Sequence, residues 1–180
     1  MAVGNPSWMA ADLLSQAEHD VSAQAILITN NREFADRVSS EIDVLFNKLP
    51  RIKIAKESWE KYGAIIVVED IEHSIELINR LAPEHLELAI DNPKNFADKI
   101  SHAGSIFLGR NTPEALGDYV GGPNHVLPTG RATRYSSGLG LLDFMKRTTF
   151  LGVSEKSIKS IGPAAVTLAE AEKLDIHGLS

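Results

Sequence analysis

Four groups of side chains in this sequence are of the types that hold metals or move protons. Gln16 and His19 stand three residues apart in a segment with helical spacing, so both project from one helix face, the geometry by which a helix offers two ligands to one ion. Asp12 extends that polar stripe, and a solvated helix face is the reading this pattern alone leaves open beside the first. Glu84 and His85 follow Pro83 at the entry to a buried strand, where a carboxylate and an imidazole side by side are costly to desolvate without a task. A strand-end pair facing water is the alternative there. From Leu116 to Thr129 the chain reads Leu-Gly-Asp-Tyr-Val-Gly-Gly-Pro-Asn-His-Val-Leu-Pro-Thr. Its glycines let backbone approach a ligand closely, and Asp118 and His125 are residues that bind metal or transfer protons. The same stretch also reads as a structural turn capped by Asp118. His177 follows Glu172 by about a turn and a half of helix and, taken alone, is an exposed terminal histidine.

The elements that must position these groups are legible from periodicity. Ser7 is a candidate N-cap for a helix over 7–19 carrying Ala10, Leu13, Leu14 and Ala17. Ala25 to Thr29 is a short apolar strand feeding a helix that starts at Asn30-Asn31 and carries Phe34, Val38, Ile42 and Leu45. Ala64 to Val68 repeats the pattern, with Asp70 capping a helix that bears Ile71, Ile75 and Ile78, and residues 85–90 read as the next strand. Asn92-Pro93 starts a helix with Phe96, Ala97 and Ile100, ended by His102-Ala103-Gly104 before the strand 105–108. Strands alternating with helices predict an α/β fold, an open, mostly parallel sheet in a three-layer α/β/α arrangement over residues 1–120. Ligands in such sheets sit beyond the carboxyl ends of strands, here after Ile28, Val68, Ile90 and Leu108.

Glycine and proline crowd residues 111–140, which predicts a long functional loop. Beyond it the pattern predicts a short helix over 139–146, a strand over 148–153 and a helical tail over 155–176 with a break or kink at Gly162-Pro163. The organisation expected is therefore one α/β region over residues 1–150, including the glycine-rich loop, followed by a helical arm over 151–180.

Composition narrows the chemistry. The 180 residues hold 18 Lys+Arg against 24 Asp+Glu, a net charge of -6 without a basic stripe, which argues against nucleic acid as a partner. Zero cysteines exclude disulfides, thiolate zinc sites, iron–sulfur clusters and a cysteine nucleophile, leaving His, Asp, Glu and Gln. No apolar run approaches the roughly 18 residues of a membrane span, and the N-terminal residues do not read as a secretory signal, so a soluble cytoplasmic protein is expected. Gly138-Leu139-Gly140 lacks the preceding strand and third glycine of a dinucleotide fingerprint, and neither a phosphate-binding P-loop nor a Gly-x-Ser-x-Gly elbow is present.

The blocks Ala11-Asp12-Leu13-Leu14-Ser15-Gln16-Ala17-Glu18-His19, Ala82-Pro83-Glu84-His85-Leu86-Glu87, Gly117-Asp118-Tyr119 through Asn124-His125-Val126-Leu127-Pro128-Thr129, and Ala169-Glu170-Ala171-Glu172 through His177 span nearly the whole chain. In that order and spacing they resemble the C-terminal part of histidinol dehydrogenases, zinc- and NAD-dependent enzymes that oxidise L-histidinol to L-histidine by way of the aldehyde. The resemblance implies Gln16, His19, Asp118 and His177 as zinc ligands, a nitrogen and oxygen set that needs no thiolate. It implies Glu84 and His85 as the acid–base pair: His85 takes the alcohol proton as hydride leaves, and Glu84 activates water for attack on the aldehyde-level intermediate. Glu172 would bind the substrate's amino group or its surroundings, with Gln16, His19, His85, Asp118 and His177 also touching substrate.

The resemblance further implies a homodimer in which the tail bearing Glu172 and His177 reaches the neighbouring subunit. Family members are considerably longer, and the region that grips NAD is expected in the part that precedes these blocks. Exposed sheet edges would follow unless dimerisation covers them. The reading that competes with an active dehydrogenase is a catalytically inactive, truncated zinc-binding dimer module. A metal-dependent hydrolase with Glu84 as base is disfavoured, because four protein ligands leave little room for a zinc-bound water.

Overall fold

The computed structural model describes residues 4–48 and 52–180. Helix α1 (Pro6–Ala17) opens at Asn5, whose side-chain oxygen accepts the Ser7 N–H, while Pro6 occupies a position where a missing N–H removes no bond. The cap is thus Asn5 rather than the expected Ser7, and the helix stops at Ala17, so His19 lies just past its end. Strand β1 (Ile26–Thr29) leads to α2 (Arg32–Phe46), capped where Asn31 Oδ1 accepts the Phe34 N–H at 2.9 Å. Helix α3 (Ile52–Tyr62) follows and delivers the chain to β2 (Ala64–Val67). The apolar pattern does not announce α3, because its most deeply buried positions are the small residues Ala55 and Ser58; the Ser58 hydroxyl donates to the Ala23 carbonyl at 2.9 Å.

A 3-10 turn (Ile71–His73) capped by Asp70 runs into α4 (Ser74–Leu81), then β3 (His85–Leu88), α5 (Pro93–Ala97), β4 (Ser105–Leu108) and α6 (Glu114–Tyr119). β1 pairs with β2 and β3 with β4, both parallel, in registers Ile26↔Ala64 and His85↔Ser105. The expected single sheet is therefore corrected: among the described residues the strands form two separate two-stranded parallel sheets. Periodicity locates strands by their side chains, whereas neighbours are chosen by backbone pairing, which it does not encode. Ala10, Leu14 and Ala17 of α1 pack with Phe34, Val38 and Ile42 of α2 and Ala55 of α3 in one core. Ile78, Leu88 and Phe96 form a second, and Ile28 of β1 packs against it, so apolar contact joins strands that hydrogen bonds do not.

The chain end of α4 is held by the glycine-rich loop. Ala82 ends the helix in the left-handed conformation at φ 50°, its N–H bonded to the Ile78 carbonyl at 2.8 Å. The buried Thr133 hydroxyl donates to the Ala82 carbonyl at 3.1 Å, and the Arg131 and Arg134 guanidinium groups both donate to the Arg80 carbonyl.

The chain divides into two compact units between Asp143 and Phe144. Around that division the expected helix over 139–146 is only a 3-10 turn, Leu141–Phe144. The expected strand over 148–153 is corrected to irregular chain: Phe150 and Leu151 are 92% and 89% exposed, and nothing among the described residues pairs with them. In the second unit α7 (Glu155–Ala171) passes through Gly162-Pro163 without ending, where a break or kink was expected. The carbonyl of Lys159 that loses its partner there belongs to an exposed residue, so water can serve it. Lys173, at φ 61°, closes α7 by sending the chain back so that the Leu174 N–H reaches the Ala169 carbonyl at 2.9 Å, and α8 (Asp175–Leu179) follows. No helix of the described residues is long and apolar enough to cross a membrane.

Candidate active site

The His-Leu-Glu-Leu sequence of β3 alternates, so Leu86 and Leu88 enter the second core while His85 and Glu87 share the opposite face. That face is covered by α6, where Glu114 and Asp118 stand four apart and so point the same way. The result is an imidazole between two carboxylates: His85 Nδ1 lies 3.4 Å from Glu114 Oε1, and His85 Nε2 lies 3.9 Å from Asp118 Oδ1. The three side chains are only 13%, 12% and 21% exposed. His85 Nε2 is buried and has no hydrogen-bond partner among the described residues.

Two further contacts fix this geometry. The Glu114 N–H donates to Glu87 Oε1 at 2.8 Å, fastening the first turn of α6 to β3. Phe107 of β4 sets its ring against His85, centroids 5.9 Å apart and tilted 44°, and also lies under Gly117. A Cβ at Gly117 would sit 2.4 Å from Phe107 Cε1, which is too close for any side chain. We expect Gly117→Ala to lift α6 from the sheet and cost about 1–3 kcal/mol of stability, as overpacking does, read as a lower urea midpoint.

Burial and like charge load the site electrostatically. Glu87 is pushed up to about 7 by burial and by the Asp12 carboxylate beside it, against the lowering effect of the Glu114 N–H bond. Asp12 of α1 is itself raised by burial, offset in part by its hydrogen bond with Glu87. Glu114 is raised by burial, lowered by His85, raised by Asp118, lowered by His19 and raised by Glu84. Helix α1, the entry to β3 and α6 therefore converge here, and with them His19, Glu84, His85 and Asp118.

Not all of the other candidates join this cluster. Gln16 is partly buried in the last turn of α1; His19 is exposed, with Nδ1 2.7 Å from the Ser15 carbonyl, a contact that leaves Nε2 for a ligand. His125 is exposed in the loop. Glu172 caps α7 and His177 lies on α8, both in the second unit. Of the segments expected beyond strand carboxyl ends, the one after Leu108 contributes, through α6, whereas Glu84 and His85 stand at the amino end of β3. Sequence reasoning missed Glu114 and Glu87. Glu114 precedes Asp118 by one helical turn, and that spacing is the signal that could have found it. His85, Glu114 and Asp118 each offer a ligand atom within 4.8 Å of the others, a second metal-capable set that shares only Asp118 with the one the resemblance implies.

Short parallel strands crossing over through helices, with imidazole and carboxylates gathered over one sheet face, define an α/β protein with an ionisable cluster chemically able to hold a divalent cation. Residues 2–180 match the sequence model of the histidinol dehydrogenase family, and the chain belongs to that family. It is 57% identical over 177 residues to the histidinol dehydrogenase of Rhodospirillum rubrum, covering 98% of this chain and 41% of the relative. With histidinol dehydrogenase 1 of Trichormus variabilis the identity is 55% over 173 residues, covering 96% of this chain and 40% of the relative. The crystal structure of histidinol dehydrogenase from Elizabethkingia anophelis superposes with a TM-score of 0.87 at 43% identity, over 98% of this chain and 41% of that one. The chain spans about two fifths of the length of these relatives.

Proposed function

We propose that this chain carries the metal-binding and acid–base part of a histidinol dehydrogenase, which oxidises L-histidinol to L-histidine through the aldehyde in the cytoplasm. The observation that carries this reading is the buried, unpartnered Nε2 of His85, held beside carboxylates where a proton acceptor would have to sit. His85 Nε2 accepts the alcohol proton in each oxidation, and Glu84, next to it in the chain, draws a proton from the water that adds to the aldehyde. Gln16, His19, Asp118 and His177 are the residues that would hold zinc, and their nitrogen and oxygen donors suit it, with His19 Nε2 left open by the Nδ1 contact to Ser15. Bound there, zinc would fix the substrate's imidazole and amine as a Lewis acid. Glu172 would contact the amino end of the substrate. NAD, which the reaction would consume twice, would take the hydride in each oxidation.

The homodimer with an exchanged arm over 151–180 belongs to the same proposal. In the second unit Phe150, Leu151, Ile176 and Leu179 are 80–92% exposed, apolar surface that a neighbouring subunit would cover. Deleting residues 155–180 should convert a dimer into a monomer by light scattering; a dimer that persists would remove the arm from the interface.

NADH formation by the folded, zinc-supplied chain with L-histidinol and NAD tests the activity. Its appearance supports the dehydrogenase. Its absence from zinc-loaded protein favours the second reading, an inactive zinc-binding dimer module.

A further inference from the structure

The geometry points to Glu114 as the residue that positions His85: its carboxylate accepts a hydrogen bond from Nδ1–H and so leaves the free lone pair on Nε2. The assignment rests on His85 being the acid–base group of the reading above, and it specifies which ring nitrogen works. A neutral imidazole has one donor nitrogen and one acceptor nitrogen, and whichever nitrogen meets the better acceptor becomes the donor. Two carboxylates compete for that proton. Asp118 Oδ1 is 3.9 Å from Nε2, beyond hydrogen-bond reach, whereas Glu114 Oε1 is 3.4 Å from Nδ1, a long contact of the kind that tightens when a site is loaded.

Glu114 is firmly held in place. Its N–H is bound by Glu87 Oε1 at 2.8 Å, so the backbone that carries the carboxylate is fixed by the same strand that carries His85. Gly117 lets α6 come down onto Phe107, and Phe107 supports the imidazole from the side. Acceptor and ring are thus located by common neighbours, and the nitrogen left without a partner is Nε2. An imidazole whose one N–H is engaged by a carboxylate is oriented, restricted to one tautomer and made more basic at the other nitrogen.

The tautomer can be read without turnover. In the 180-residue chain labelled with 15N-histidine, freed of metal by chelation and kept where the ring is neutral, a long-range 1H–15N spectrum shows which nitrogen carries the proton. The His85 signals are identified among the six histidines by their loss in His85→Gln. The expected pattern is Nδ1–H with a non-protonated Nε2. Glu114→Gln, whose side-chain oxygen can still accept, should keep that pattern; Glu114→Ala should lose it, moving the proton to Nε2 or averaging the two sites. Asp118→Asn should leave it unchanged, which keeps the test decisive if Glu114→Ala fails to fold. Nε2–H in the unaltered chain, or a tautomer indifferent to Glu114→Ala, overturns the assignment. An Nδ1–H tautomer in protein that forms no NADH would uphold the positioning role while sinking the dehydrogenase reading, and NADH from a chain with Nε2–H would do the reverse.

Discussion

Replacing His19 or His177 by alanine should abolish tight zinc binding, while His85→Ala should leave the metal in place. Losing even a residue that merely supports a metal ligand typically costs roughly 10–100-fold in affinity, so losing a ligand should exceed about 100-fold. The experiment is a competition titration of zinc against a chromogenic chelator, with metal content measured on the purified protein. It separates two ligand sets that share Asp118. One contains Gln16, His19 and His177; the other is the compact group of His85, Glu114 and Asp118 with ligand atoms within 4.8 Å. Zinc retained after both His19→Ala and His177→Ala, but lost after His85→Ala, would move the metal onto that second set and remove His85 from proton transfer.

Glu87→Gln should stabilise the metal-free chain at pH 8 while changing it little at pH 4. The carboxyl ionises near its ordinary 4.5 when the chain is unfolded and at about 7 when it is folded. Below 4.5 both states are protonated and nothing is gained or lost. Between 4.5 and about 7 the unfolded chain releases a proton that the folded chain keeps, so stability falls as pH rises, and above about 7 the penalty is complete. The full gap corresponds to on the order of 3 kcal/mol, and a half-buried group screened by water retains about 1–2 of it. Glutamine removes the charge yet keeps an oxygen for the Glu114 N–H. Urea unfolding at both pH values should show the variant ahead of the parent only at the higher one; equal differences at both would mean that Glu87 is not the titrating group.

The parts of the fold legible in the sequence are those that bury a continuous apolar pattern. Ile26-Leu27-Ile28, Ala64-Ile65-Ile66-Val67 and Ser105-Ile106-Phe107-Leu108 are strands because their side chains demand cover, and Asn31 and Asp70 cap helices because their oxygens meet free N–H groups. Helix α3 is not legible in the apolar pattern because Ser58, which is fully buried, is polar by type and becomes acceptable there only through the Ala23 carbonyl. The stretch 148–153 has the letters of a strand without a neighbour to pair with, and Pro163 resembles a break because water's ability to serve a freed carbonyl cannot be read from local sequence. At the site, Glu84, His85 and Asp118 stand out by type. Glu114 and Glu87 do not, because carboxylates 27 residues apart become one unit only when α6 folds over β3.

Ala82 gives the loop a mechanical role. An alanine at φ 50° carries about 1–2 kcal/mol of torsional strain, and it stands two residues before Glu84. What keeps that spring wound is in part the Thr133 hydroxyl on its carbonyl, with Arg131 and Arg134 gripping the carbonyl of Arg80 just upstream. The segment from 131 to 134 is thus a ratchet pawl on the backbone that presents Glu84 and His85. Displacing the loop is expected to loosen that corner of backbone, two residues ahead of the candidate pair Glu84 and His85.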